Sequence, residues 1–260
     1  MKLFKANNTP PHENIRISVC MATYNGARYL REQVDSILSQ DLSAYPNSEL
    51  ELIVSDDGST DDTLKILASY KDDRIKVCHH IKKEYKYNKA AFACTANFAN
   101  ALEKATGDYI FLSDQDDIWL PLKISRTLDV LTVRGGVCVV AFDVVTPDLK
   151  RLSSVVYHKE PRWAIKRKHK FYGFSCGFTR AELNSILPMP EIPYHDNFIT
   201  YICSFKNSST TINEILALHR WSGVHNVSAS VDDSPFIRKN WFRIKLIFIA
   251  FLRFVKYKFQ

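Results

Sequence analysis

The residues of this chain best suited to chemistry are five aspartates in two short clusters, Asp56-Asp57 and Asp114-Gln115-Asp116-Asp117. Each cluster follows an apolar run, Leu50–Ser55 (LELIVS) and Tyr109–Ser113 (YIFLS), so each stands where a buried strand would end. Carboxylates set this close repel one another unless a cation or hydrogen-bond donors compensate. An oxygen-only cluster suits magnesium or manganese, and magnesium is usually held by one or two carboxylates together with substrate phosphates. Capping a helix needs only one acid, so Asp114, Asp116 and Asp117 exceed that need, whereas Asp61 and Asp62 read as helix-start residues.

These acids require a frame. Ile15–Ala22 reads as a buried strand, followed by a turn at Thr23-Tyr24-Asn25-Gly26 and a helix over Tyr29–Ser39. Leu50–Ser55 is the second strand, and Thr60 or Asp61 caps a helix running to Tyr70. Arg74–Cys78 makes a third strand, His79–Lys89 a polar loop and Ala90–Ala105 an alanine-rich helix. Tyr109–Ser113 is the fourth strand, Leu122–Val133 a helix after Pro121, and Val137–Val145 the fifth strand. Strand and helix alternate four times, which predicts a parallel sheet with helices on both faces. Ligands of such sheets sit outside the carboxyl ends of the strands, and that edge carries Thr23–Gly26, Asp56–Ser59 and Asp114–Asp117 together.

The second half is less regular. Gly173–Phe178 is read as a strand and Arg180–Leu187 as a short helix stopped by Pro188, Pro190 and Pro193. A helix over Phe198–Phe205, a strand over Thr210–Leu218 and a last helix over Phe236–Phe259 complete the chain.

Length and composition narrow the class. The 260 residues, 46% hydrophobic with eight Gly and ten Pro, suit one α/β domain plus an appendage and exclude disorder and low complexity. There is no G-x-x-x-x-G-K-[ST], no G-x-G-x-x-G after a strand and no G-x-S-x-G, which removes P-loop kinases, dinucleotide oxidoreductases and the usual α/β-hydrolases. The six cysteines form no C-x-x-C pair and read as buried thiols. No signal-like apolar region opens the chain, and Leu246–Leu252 falls short of the ~18 residues that span a bilayer. A protein that is cytoplasmic or faces the cytoplasm is expected.

The net charge of +7 sits in one place: after Asp233 there are seven basic residues and no acid. On a helical wheel Arg238, Lys239, Arg243, Lys245, Arg253 and Lys256 share one arc, while Trp241, Ile244, Ile247, Phe248, Phe251, Leu252 and Val255 occupy the other. That profile predicts an interfacial helix, on the inner face of a cell membrane. Nucleic acid is not expected, because the basic residues alternate with large aliphatics.

Together the segments SVCMATYNGARYLREQVDSILSQ, ELIVSDDGSTDDT and NFANALEKATGDYIFLSDQDDIWLPLKI resemble family 2 of the inverting glycosyltransferases, with rhamnosyltransferase-like bacterial polysaccharide enzymes among the similar members. The resemblance is close over roughly half the chain, Ile17 to Leu131. It implies an α/β fold of GT-A type, a Rossmann-like, mostly parallel sheet flanked by helices, here with the C-terminal amphipathic helix. Residues 1–14 would be a polar leader, 15–133 the nucleotide-sugar-binding half, 134–235 the acceptor half and 236–260 the membrane-associating helix.

By resemblance, Thr23, Tyr24 and Asn25 line the nucleotide pocket, and Asp57 or its neighbour Asp56 reads the base of a UDP-, dTDP- or GDP-linked sugar. Asp114 and Asp116 match the D-x-D motif, Asp114 near ribose and metal and Asp116 on a Mg2+ or Mn2+ ion. His195-Asp196-Asn197-Phe198 matches the motif that supplies the catalytic base, which nominates Asp196. His219–Ser228 matches a later motif irregularly: Arg220 matches directly and would contact the diphosphate, while the motif's histidine falls on Ser222 and His225 would replace it as a metal or phosphate ligand. The expected activity is transfer of a sugar to a glycan acceptor, lipid-linked, in cell-surface polysaccharide or lipopolysaccharide synthesis. The alternatives are an inactive membrane assembly partner and a sugar-1-phosphate nucleotidyltransferase.

Overall fold

The apolar runs within Arg16–Thr23, Glu49–Asp56 and Tyr109–Ser113 fold into strands buried on both faces. The computed structural model describes residues 14–81, 83–157, 171–221 and 233–259. Strands β1 (Arg16–Thr23), β2 (Glu49–Asp56), β3 (Ile75–His79) and β4 (Tyr109–Ser113) lie parallel in the order β3-β2-β1-β4. Their side chains alternate between two cores. Cys20, Ile110 and Leu112 face one, with Phe98 and Leu102 of α3 (Lys89–Leu102). Val19, Met21 and Phe111 face the other, with Leu30 and Val34 of α1 (Leu30–Leu38), Leu67 of α2 (Thr63–Ala68) and Leu128 of α4 (Lys123–Arg134).

Beyond β4 the pairing becomes mixed. The two-residue β5 (Ile118–Trp119) pairs with β9 (Ser209–Arg220), and β7 (Arg151–Val155) pairs with β6 (Val137–Val145), both antiparallel. A 3-10 turn at Gly173–Ser175 leads into β8 (Cys176–Thr179), which is antiparallel to both β4 and β6. β9 runs parallel to β6, so one nine-stranded sheet crosses the chain. The expected strand over Gly173–Phe178 is therefore half turn and half strand.

Helix α5 (Arg180–Ile186) precedes α6 (His195–Lys206). α6 starts three residues ahead of its expected Phe198, because Tyr194 takes a left-handed conformation (φ 63°) and the helix begins at the next residue. The final helix α7 (Phe236–Lys258) docks on α6 through Leu246 and Ala250, and Phe205 packs against Phe251 and Phe254. Arg253 turns toward the body, donating to the carbonyls of Ser185, Ile186 and Pro188 at the end of α5. The six cysteines are free, with Cys20, Cys138, Cys176 and Cys203 buried. Among the described residues no helix is long and apolar enough to cross a membrane.

Candidate active site

Strand register aligns the reactive loops. Thr23 at the end of β1 is opposite Asp56 at the end of β2, and Met21 is opposite Ser113, immediately before Asp114. The three turns that follow are then bonded together. Asp56 Oδ2 accepts the Gly58 and Ser59 N–H groups at 3.0 and 2.9 Å, and its Oδ1 accepts the Thr23 and Ser59 hydroxyls. Gly58 takes φ +76°, a conformation that favours glycine. Asn25 Oδ1 accepts the Thr60 N–H at 2.8 Å, and Asp61 accepts the N–H groups of Ala27 and Thr63. Buried Asp56 thus shapes the loop. Asp57, 4% exposed, pairs through Oδ1 with His80 Nδ1 at 2.8 Å, and Tyr24 stands half-exposed at the rim.

The acidic loop after β4 is anchored from β9. Buried Asp117 accepts from His219 Nδ1 at 2.8 Å and from the Arg220 N–H at 3.2 Å. Burial works against the charge of His219, but Asp117, Asp114 and Asp116 outweigh it and lift its pKa to about 9. Arg220 is 1% exposed; its guanidinium lies over the Tyr29 ring, pairs with Glu32 at 2.8 Å and donates to the Asp116 carbonyl at 3.1 Å. Lys123 is buried beneath the loop, with Nζ 2.6 Å from the Phe174 carbonyl and over the Trp119 ring. Burial drives its pKa well below the ordinary value, against the pull of Asp117 and Asp114.

Asp114 and Asp116 carry the electrostatic stress. Burial first, then Asp117 and Asp116, raises Asp114 well above the carboxylate range, and Asp196 adds to that repulsion. Asp116 is pushed up to about 7 by burial and by Asp117. Buried Asp117 Oδ2 has no hydrogen-bond partner among the described residues. A divalent cation would relieve all three, so the residues fit one. Among the described residues no set of three His, Cys, Asp or Glu side chains forms a metal cage. Asp114 and Asp116 are the two side chains that could supply protein ligands to such an ion.

Asp196 lies in the first turn of α6, where its Oδ1 accepts the Asn197 N–H at 2.8 Å. His195 is buried against Phe98, its ring centroid 4.2 Å away, and its N–H donates to Thr95. Thr23, Asn25, Asp56, Asp57, Asp114 and Asp116 thus gather at one sheet edge, with Asp196 within electrostatic reach. Arg220 supports the acidic loop from below. His225 lies outside the described residues. Sequence reasoning did not single out His80, His219 or Lys123 for the site. The second of these stood at the head of the irregular motif His219–Ser228, without a role of its own.

The model for glycosyl transferase family 2 matches residues 18–186. The chain is 28% identical over 234 residues to a putative teichuronic acid biosynthesis glycosyltransferase, TuaG, of Bacillus subtilis, covering 87% of this chain and 86% of that protein. It is 40% identical over 113 residues to WfaP of Escherichia coli, a UDP-Glc:α-D-GlcNAc-diphosphoundecaprenol β-1,3-glucosyltransferase, covering 43% of this chain and 39% of the relative. The chain spans less than two thirds of the length of most of the curated relatives it matches. The mannosyltransferase PcManGT of Pyrobaculum calidifontis, solved with GDP-Man and Mn2+, shares its fold with a TM-score of 0.57 at 16% identity, over 95% of this chain and 66% of that one. The α/β architecture is that of the GT-A glycosyltransferases. With its family model matched over more than half of its length, and its acidic strand ends gathered at one edge, this chain belongs to glycosyl transferase family 2.

Proposed function

We propose that this glycosyltransferase moves a sugar, with inversion, from a nucleotide diphosphate donor to a lipid-linked glycan in bacterial cell-surface polysaccharide synthesis. The observation that carries the reading is the cluster of Asp114, Asp116 and Asp117 at the strand-end edge, with the charge of Asp196 felt at Asp114. Thr23, Tyr24 and Asn25 would line the nucleotide pocket, with Asp57 held by His80 to read the base. Asp114 and Asp116 would hold the divalent ion, which when bound neutralises charge on the departing diphosphate. Asp196 takes the proton of the acceptor hydroxyl as its oxygen bonds to the anomeric carbon and the nucleoside diphosphate leaves. Arg220, buried and paired, positions the acidic loop.

Manganese accompanies GDP-Man in PcManGT, and WfaP acts on a diphosphoundecaprenol-linked sugar, which supports both metal and lipid. The outward face of α7 supports the membrane: Trp241, Ile244, Phe248, Phe251 and Leu252 are exposed at helical spacing, with Arg243, Lys256 and Lys258 exposed beside them. Calorimetric binding of UDP, dTDP and GDP with and without Mn2+, followed by a transfer screen with their sugars, tests the reading. Metal-dependent binding of one diphosphate and a product of inverted configuration are expected. Failure to bind any of the three would end it.

A further inference from the structure

A cavity of about 720 Å³ lies between the chain preceding α3 and the first turns of α7. Its size suits an organic ligand. Tyr85, Tyr87 and Trp241 line it, with Glu191, Arg238 and Lys245. The walls are built from packed rings: Tyr85 stacks on Phe92 at 4.9 Å, Phe92 meets Phe242 at 5.2 Å, and Arg238 lies over Tyr87 at 5.0 Å.

Two connections give the cavity its place. Asn88, which closes the segment carrying Tyr85 and Tyr87, donates Nδ2 to the Tyr194 hydroxyl at 3.1 Å, and Tyr194 is the residue from which α6 and Asp196 start. The charges of Glu191 and Asp57 both reach Tyr85, adding to the burial that raises its phenol. At the other end, Ile237 and Trp241 belong both to the cavity and to the exposed apolar face of α7, being 83% and 59% exposed.

We infer that this cavity is the acceptor subsite and takes a sugar joined through phosphate to a lipid chain. The assignment rests on the transfer reading above. Flat aromatic faces accept the C–H face of a sugar ring, as Tyr87 and Trp241 would. Guanidinium and ammonium groups bind phosphate, as Arg238 and Lys245 would, and the Glu191 carboxylate accepts from sugar hydroxyls. The lipid then follows the apolar face of α7 that begins at Ile237 and Trp241. Sugar, phosphate and lipid thus meet the surfaces suited to each.

Isothermal titration of the full chain with short-chain alkyl diphosphates bearing N-acetylglucosamine or glucose tests this, run with and without saturating UDP. Binding should survive UDP and fall at least tenfold in Tyr87→Ala, Trp241→Ala and Arg238→Gln. It should return in Trp241→Phe, and the same alkyl diphosphate without sugar should bind more weakly. UDP affinity and the thermal melt should stay at the parent values in every variant. Displacement of the probes by UDP, undiminished binding in Tyr87→Ala/Trp241→Ala, or no binding by the parent chain would each overturn the assignment. UDP binding by the parent chain reports on the donor reading separately, so the two failures are distinguishable.

Discussion

Gln115 grips Tyr24 by both of its backbone groups: Oε1 accepts the Tyr24 N–H at 2.9 Å, and Nε2 donates to the Tyr24 carbonyl at 3.1 Å. A side chain of the acidic loop thereby sets the backbone of the turn after β1. Gly26 leaves room for it, since a Cβ there would stand 2.2 Å from Gln115 Oε1. Two such bonds are worth about 1–2 kcal/mol together, so Gln115→Ala should weaken nucleotide diphosphate binding roughly five- to thirtyfold. The melting temperature should fall by about 2–8 °C, at the roughly 2–4 °C per kcal/mol of a domain of this size. UDP titration beside a thermal melt checks it; unchanged affinity would place the grip outside the donor pocket.

Asp116→Asn keeps size while removing the charge that would hold the ion. Transfer should fall about a hundredfold or more with the fold intact, and EDTA should have the same effect on the parent enzyme. Full activity in either case removes the metal from the reading.

Asp196→Asn removes the proton acceptor and keeps much of the support it gives the first turn of α6. A loss of roughly a hundred- to ten-thousandfold in single-turnover transfer is expected, with nucleotide diphosphate affinity little changed. Collapse of that affinity with transfer preserved would mark Asp196 as a donor-side residue.

Deleting α7 would uncover Leu246 and Ala250 and the α6 surface beneath them, so point changes are the better probe. Ile244→Ser with Phe248→Ser alters exposed residues alone. Binding to anionic vesicles at low salt should fall at least tenfold, and Arg243→Glu with Lys256→Glu should do the same through charge. Co-sedimentation measures both. A parent chain left in the supernatant at low salt would contradict membrane docking.

Glu51 offers a pH test away from the site. Burial alone would raise its pKa, but Lys76 at 2.6 Å, the Ser18 hydroxyl and both donors of Thr106 overcome that and hold it at about 2, against an ordinary 4.5. A depressed folded-state value stabilises the fold fully above about pH 4.5, and the contribution drains away as pH falls toward 2. The full shift would be worth at most about 3 kcal/mol, and solvent screening at the exposed Lys76 reduces it. Urea unfolding at pH 7 and pH 3 should show Glu51→Gln losing most of its deficit at the lower pH. An equal deficit at both would rule out the linkage.

Elements whose burial is continuous were legible before the structure. Tyr109–Ser113 and Val137–Val145 match β4 and β6 residue for residue, since continuous apolar runs, broken only by the half-buried Asp143, have nowhere to go but the core. β7 escaped because Arg151–Ser154 is exposed and is a strand only through its pairing with β6. β5 is two residues long and exists only through Leu218 and Ala217 of β9. The site divides the same way. Its acids were visible as local clusters, while His219 and Lys123 acquire their roles from partners 102 and 51 positions away, Asp117 and the Phe174 carbonyl, and spacing carries no trace of these.

The ion pair between Glu32 and Arg220 joins residues 188 positions apart, the first helix to the end of the last strand. Closing so large a loop is slow and comes late in folding. A nascent chain can assemble β1, β2 and β4 with their turns well before residue 220 leaves the ribosome. During that interval Asp117 lacks His219, and the Asp116 carbonyl lacks its guanidinium. Competence therefore arrives as a final latch, and a polypeptide interrupted within β9 would keep the sheet edge of a sugar-transferring enzyme without its working shape.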